Sequence, residues 1–192
     1  MALSGHRHGQ WRHVLAGAIA IGALAWTPVR ARAQAAASEY QLKAVFLFHF
    51  AQFVEWPDGK APAAKAPLTI CILGDDPFGA HLDETVRGET VNEHPLVIQR
   101  HRRIEDLAAC HVLFISQSGR RGIEEVLDSA QGRSILTVAD VERFAERGGM
   151  IQFVTEQQKI RLRVNLAVAE AAKLKLSSKL LRSAEIVATR KD

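Results

Sequence analysis

Apolar and polar positions follow three rhythms along this chain, and each predicts a different kind of segment. Residues 14–26 are an unbroken apolar run behind Arg7, Arg12 and three histidines, and Ala31-Arg32-Ala33 follows. A basic start, about 13 apolar residues and a small-x-small motif read as an export leader. The run falls short of the ~20 residues of a spanning helix, which favours a cleaved leader over an anchor. Residues 1–33 are thus expected to be removed, with one mature domain over 34–192. Residues 38–56 then take a helical period, with Ser38 as the expected N-cap and Pro57 just past the end. At 100° per residue, Leu42, Phe46, Phe50, Phe53 and Val54 fall on one side, and Gln41, His49, Gln52 and Glu55 on the other. Val45 and Phe48 sit within the polar set. Two readings stand for this pair: a partner subunit covers it, or the helix is buried all round.

After an Ala/Pro/Lys-rich loop over 58–67, β-branched runs alternate with helical stretches. Strands are expected at 68–73, 96–100, 112–115 and 134–138, and helices at 78–86, 104–109, 122–131 and 141–147. That alternation predicts βαβ units around a parallel sheet. From Gly148 the pattern changes. Residues 150–155 and 159–165 flank a polar turn, and Ile160, Leu162 and Val164 alternate with Arg161, Arg163 and Asn165, as in a half-buried antiparallel hairpin. Closing helices are expected at 167–173 and 178–189, the second capped by Ser177. The fold class that emerges is α/β: a Rossmann-like or flavodoxin-like, mostly parallel sheet with helices on both faces and a C-terminal antiparallel hairpin.

Charge narrows the partners. Four of the 25 basic residues and none of the 21 acidic ones lie in residues 1–33, so the mature chain is balanced at 21 of each. The global field that nucleic acid or anionic lipid requires is missing. The two cysteines, Cys71 and Cys110, read as one disulfide in an oxidising compartment, or as two unrelated buried thiols. If the strands follow the flavodoxin-like 2-1-3 order, Cys71 in the first and Cys110 before the third are neighbours, which suits a bridge. Closing that loop contributes about 4 kcal/mol in the chain-entropy account.

Candidate chemistry collects where strands end. Asp75 and Asp76, after the first strand, are placed either to hold a cation or to cap the next helix. A phosphate-accepting receiver also needs an acid at the end of the third strand, where this chain has Ser116, so that reading fails. Ser116 and Gln117 offer a hydroxyl and an amide to a small polar ligand, or form an ordinary loop. Arg161 and Arg163 project from one hairpin face, toward an anionic ligand or toward solvent. Neither G-x-x-x-x-G-K-[ST], G-x-G-x-x-G, G-x-S-x-G nor H-E-x-x-H occurs. No catalytic, metal or cofactor site is signalled.

Several blocks resemble the YfiR family of periplasmic regulators: EYQLKAVFLFHFAQFVEWP at 39–57, CILGDDPFG at 71–79, CHVLFIS at 110–116 and ILTVAD at 135–140. GGMI at 148–151, IRLRVN at 160–165 and KLKLSSKLL at 173–181 continue the match in order. The resemblance implies a Rossmann-like domain that dimerises and has no catalytic residues. It implies a module that binds the periplasmic sensor region of a membrane diguanylate cyclase and holds it inactive, lowering cyclic-di-GMP and biofilm formation. An outer-membrane lipoprotein that sequesters the repressor is a further implied partner. The Cys71–Cys110 pair matches a family bridge, while a second pair found in some members is absent here. The competing expectation is a periplasmic protein that binds a small ligand with the loops around Asp75, Asp76, Ser116 and Gln117.

Overall fold

The computed structural model describes residues 27–57, 61–63 and 65–190. The expected leader lies outside them up to residue 26, as do residues 58–60 and 64 of the expected loop. The elements run α1 (Thr27–Phe53), β1 (Val54–Glu55), β2 (Leu68–Leu73), α2 (Ala80–Val86), β3 (Thr90–Val91), β4 (His94–His101), a 3-10 turn (Ile104–Ala109) and β5 (Val112–Ile115). A second 3-10 turn (Gln117–Arg120) leads to α3 (Ile123–Ala130), β6 (Leu136–Ala139), β7 (Ile151–Glu156), β8 (Lys159–Val164), α4 (Leu166–Ala171), β9 (Lys175–Leu176), α5 (Ser178–Leu181) and β10 (Ala184–Ile186).

The main sheet has eight strands in the order β10-β8-β7-β6-β5-β2-β4-β3. Strands β4, β2, β5, β6 and β7 are parallel neighbours, which is the flavodoxin-like 2-1-3-4-5 order. Its central strands carry helices on both faces, so every residue of β2, β5 and β6 is buried. Alternation sorts them. Leu68, Ile70 and Ile72 enter the core beneath α1 and α2, whereas Cys71 and Leu73 enter the core shared with α3. β8 returns antiparallel to β7, pairing Phe153 with Leu162, as the alternating hairpin pattern predicts.

Several element boundaries need correction. α1 begins upstream of Ser38, whose hydroxyl donates to the Ala35 carbonyl (2.8 Å) inside the helix instead of capping it. α1 also stops at Phe53, because Val54 and Glu55 pair with Leu176 and Lys175 of β9. Residues 141–147 form turns, since Arg143 adopts a left-handed backbone (φ 57°) that no helix interior accepts. The closing helix ends at Leu181, and residues 184–186 instead lie parallel to β8 and cover its free edge.

A further correction concerns the buried side of α1: of the expected apolar set, Phe50 and Val54 are buried and Phe46 and Phe53 are half-buried against the core, but Leu42 is exposed. Lys43, Ala44, Leu47, Phe50, Ala51 and Val54 face the sheet, and Leu42 is 48% exposed. Ala44 and Ala51 lie on this buried face, and Phe46 and Phe53 flank it half-buried, Phe46 edge-on to Phe153 of β7 with centroids 5.9 Å apart. Phe50 stacks on Phe153 with centroids 5.6 Å apart, fixing that approach.

Candidate functional site

In open α/β sheets ligands sit beyond the carboxyl ends of the strands, where the order reverses, here between β2 and β5. That position is filled. Gly74 leaves β2 with φ 94°, and a Cβ there would stand 2.4 Å from Ser116 Oγ. Ser116 is buried, and its hydroxyl shares a hydrogen bond with Ser118 Oγ (3.0 Å), which in turn accepts the Asp75 amide (2.7 Å). These serines bond each other and a backbone amide, an arrangement that closes a loop instead of activating a hydroxyl. Asp76 Oδ1 accepts the Phe78 amide (2.7 Å) in a turn ahead of α2, and its Oδ2 accepts from Arg100 Nε (2.7 Å). The expected cap is therefore not made: the N-cap of α2 is Gly79, with no side-chain bond. Arg100 also grips Asp83 of α2 (2.6 Å), which raises its affinity for the proton. Asp75 stays exposed at the rim.

One strand further along the edge, Asp140 gathers side chains from two elements, α1 and the second 3-10 turn. Its Oδ2 accepts from Tyr40 Oη (2.7 Å) and from Lys43 Nζ (2.6 Å), and its Oδ1 and carbonyl accept from Gln117 Nε2 (3.2 and 2.6 Å). Lys43 also reaches Glu39 (2.6 Å), which accepts from the Thr155 hydroxyl (2.9 Å). The ammonium lies 4.4 Å from the centre of the Tyr40 ring. Both Lys43 and Asp140 are nearly out of solvent, with side chains 3% and 7% exposed. Burial, and then the bond to Asp140, push the Tyr40 hydroxyl above the ordinary phenol range.

Asp140, Gln117 and Thr155 of this network line an open cleft of about 1120 Å³. Gln117 and Arg163 of the sequence-derived candidates line it, together with Arg120, Arg143, Asp140 and Thr155. Asp75, Asp76 and Ser116 lie outside it. Arg161 points outward and pairs with Glu156 (3.4 Å), while Arg163 donates to Glu185 of β10 (3.0 Å). Lys43, Tyr40 and Asp140 escaped the sequence reading. The one available signal was a lysine set among residues that otherwise form a buried stripe.

A second candidate surface is the outer side of α1. Leu42 (48%) and Val45 (38%) are its exposed apolar residues, with half-buried His49 one turn on, while Phe46 and Phe53, also half-buried, pack against the core. His49 stacks on Phe53 with centroids 5.8 Å apart. Of the expected interface pair, Val45 belongs to this surface, whereas Phe48 is half-buried and packs against the core. Cys71 and Cys110 form a disulfide with Cα atoms 5.7 Å apart, so the alternative of two separate thiols falls. His101 lies beside it, within 4.8 Å of both sulfurs, but bridged sulfurs are not metal ligands. Among the described residues, no helix is long and apolar enough to cross a membrane.

Comparison with known proteins adds one decisive match. No curated protein matches this chain. Among solved structures, an ABC domain in complex with L-Trp from Streptococcus pneumonia is similar over 62% of this chain and 55% of its own, at 11% identity and a TM-score of 0.46. The chain thus spans about half of that structure, a likeness too slight to carry an argument. The YfiR/HmsC-like family model matches residues 40–185, from the buried face of α1 through β10. On that match the chain belongs to the YfiR/HmsC-like family, a family of periplasmic regulators in cyclic-di-GMP signalling.

Proposed function

We propose that this protein is an exported, non-enzymatic repressor that binds the periplasmic sensor region of a membrane diguanylate cyclase and acts as a homodimer. Family membership supports the regulatory role. The observation that carries the contact is the outer side of α1, where Leu42 and Val45 remain exposed although the other apolar residues from Tyr40 to Val54 are buried or packed against the core. Repression is then a population shift: the module binds the inactive sensor more tightly than the active one. Moving the sensor from a 1:99 to a 99:1 bias takes about 5.5 kcal/mol of differential affinity, within the reach of a modest apolar interface. The disulfide and the charge-balanced mature sequence suit a protein partner outside the cytoplasm.

A photo-cross-linking side chain placed at Val45 tests the reading in intact cells. The expected product is an adduct with a membrane protein carrying a diguanylate cyclase domain, alongside a self-adduct if the dimer uses the same surface. Recovery of only soluble periplasmic proteins would contradict it.

A further inference from the structure

We propose that the cleft at the carboxyl ends of β6 and β7 binds a small multivalent oxyanion, a solute bearing carboxylate or phosphate groups. This goes beyond the repressor reading and does not depend on it. Arg120 on the second 3-10 turn, Arg143 on the turn after β6 and Arg163 on β8 all line this one cleft, with Gln117 and Thr155 between them. Three guanidiniums from separate elements supply the planar donor pairs that carboxylate and phosphate accept best.

The acidic groups of the cleft do not cancel that charge. Asp140 is already occupied by Lys43, Tyr40 and Gln117, and Glu124 pairs with Arg147. Glu142 remains, exposed on the rim. Arg143 contacts Glu146 at 3.2 Å, and Arg163 contacts Glu185 at 3.0 Å and Glu156 at 3.9 Å. Each of these ion pairs has at least one member well exposed, so screening makes them weak and exchangeable for a better oxyanion.

Two further observations converge on the same place. Arg143 holds a left-handed backbone (φ 57°) without being glycine, the kind of strain that persists where it aims a functional side chain. Asp140, the acid of the buried Lys43–Asp140 pair, also lines the cleft, so the cleft reaches the network that anchors α1. Thr155 and Gln117 reach Glu39 and Asp140, so an occupant bears on the contacts that seat α1. The site therefore has a route to the helix that exposes Leu42 and Val45.

Titration calorimetry of the purified mature protein with citrate and with inorganic phosphate, against chloride at equal ionic strength, tests the site. Saturable binding of either probe is expected, and the preferred one assigns the carboxylate or the phosphate class. Arg120→Ala and Arg143→Asn should each weaken binding at least tenfold, while Arg87→Ala on the far side should not. Thermal midpoints of the variants in chloride separate lost binding from lost folding. No saturable binding of either probe, or equal weakening by Arg87→Ala, would overturn the proposal.

Discussion

Lys43 shows how a single position can be illegible in the sequence and decisive in the structure. A lysine beside apolar neighbours looks like a solvated one, and its partner Asp140 lies 97 residues away. Counting apolar residues alone therefore passed over both. Leaving Asp140 buried without its cation costs far more than losing a surface pair, about 3 kcal/mol or more. Lys43→Met should lower urea-unfolding stability by that order, and a loss below about 1 kcal/mol would mean that the pair is effectively solvated. His111 carries a pH dependence. Its Nδ1 accepts the Thr69 amide (3.1 Å), and burial, then the nearby His94, lower its pKa. The unfolded chain thus takes up a proton that the folded one resists, so this contribution is whole above about pH 6.5 and is lost as pH falls below it. Denaturant midpoints measured between pH 7.5 and 5.5 should fall, and His111→Gln should flatten the fall.

At the scale of elements, strand positions were far more legible than helix faces. β2 and β5 are continuous apolar runs that only a doubly covered sheet explains, and their bounds match the expected 68–73 and 112–115. The aromatics of α1 surround its buried face, with Phe50 inside the core and Phe46, Phe48 and Phe53 half-buried against it, while Leu42 and Val45 are left outside. That face includes the short Ala44 and Ala51 and is tied through Lys43 to the distant Asp140. Neither is visible in a period count. The same ambiguity hid β10, since a short run at 184–186 becomes a strand only when β8 offers an open edge. The two sides of α1 should respond oppositely to substitution. Leu47→Ala empties a fully buried site and should cost about 2–5 kcal/mol, whereas Leu42→Glu should stay within about 0.5 kcal/mol while abolishing the partner contact. Calorimetric unfolding and membrane co-purification read the two effects separately.

For the whole molecule, the strand order and the cysteine pair were legible together, because a 2-1-3 sheet places Cys71 and Cys110 side by side. The site was legible only in part. The sheet edge was expected, but the switch point is sealed by Ser116 and Ser118, and the open cleft lies by β6 and β7. A bridge across 39 residues removes unfolded-state entropy worth about 4 kcal/mol, so Cys71→Ala/Cys110→Ala should unfold several kcal/mol more easily. Reduction should do the same to the wild type and nothing further to the variant. The proposed repressor is a folded, exported chain that lowers cyclic-di-GMP through the outer side of α1. The most direct measurement is cellular cyclic-di-GMP in a deletion strain complemented by wild type or by Leu42→Glu/Val45→Glu. Deletion should raise the nucleotide, the wild type should restore it, and the variant should not, although it accumulates folded in the periplasm. Unchanged cyclic-di-GMP on deletion, or full restoration by the variant, would contradict the account.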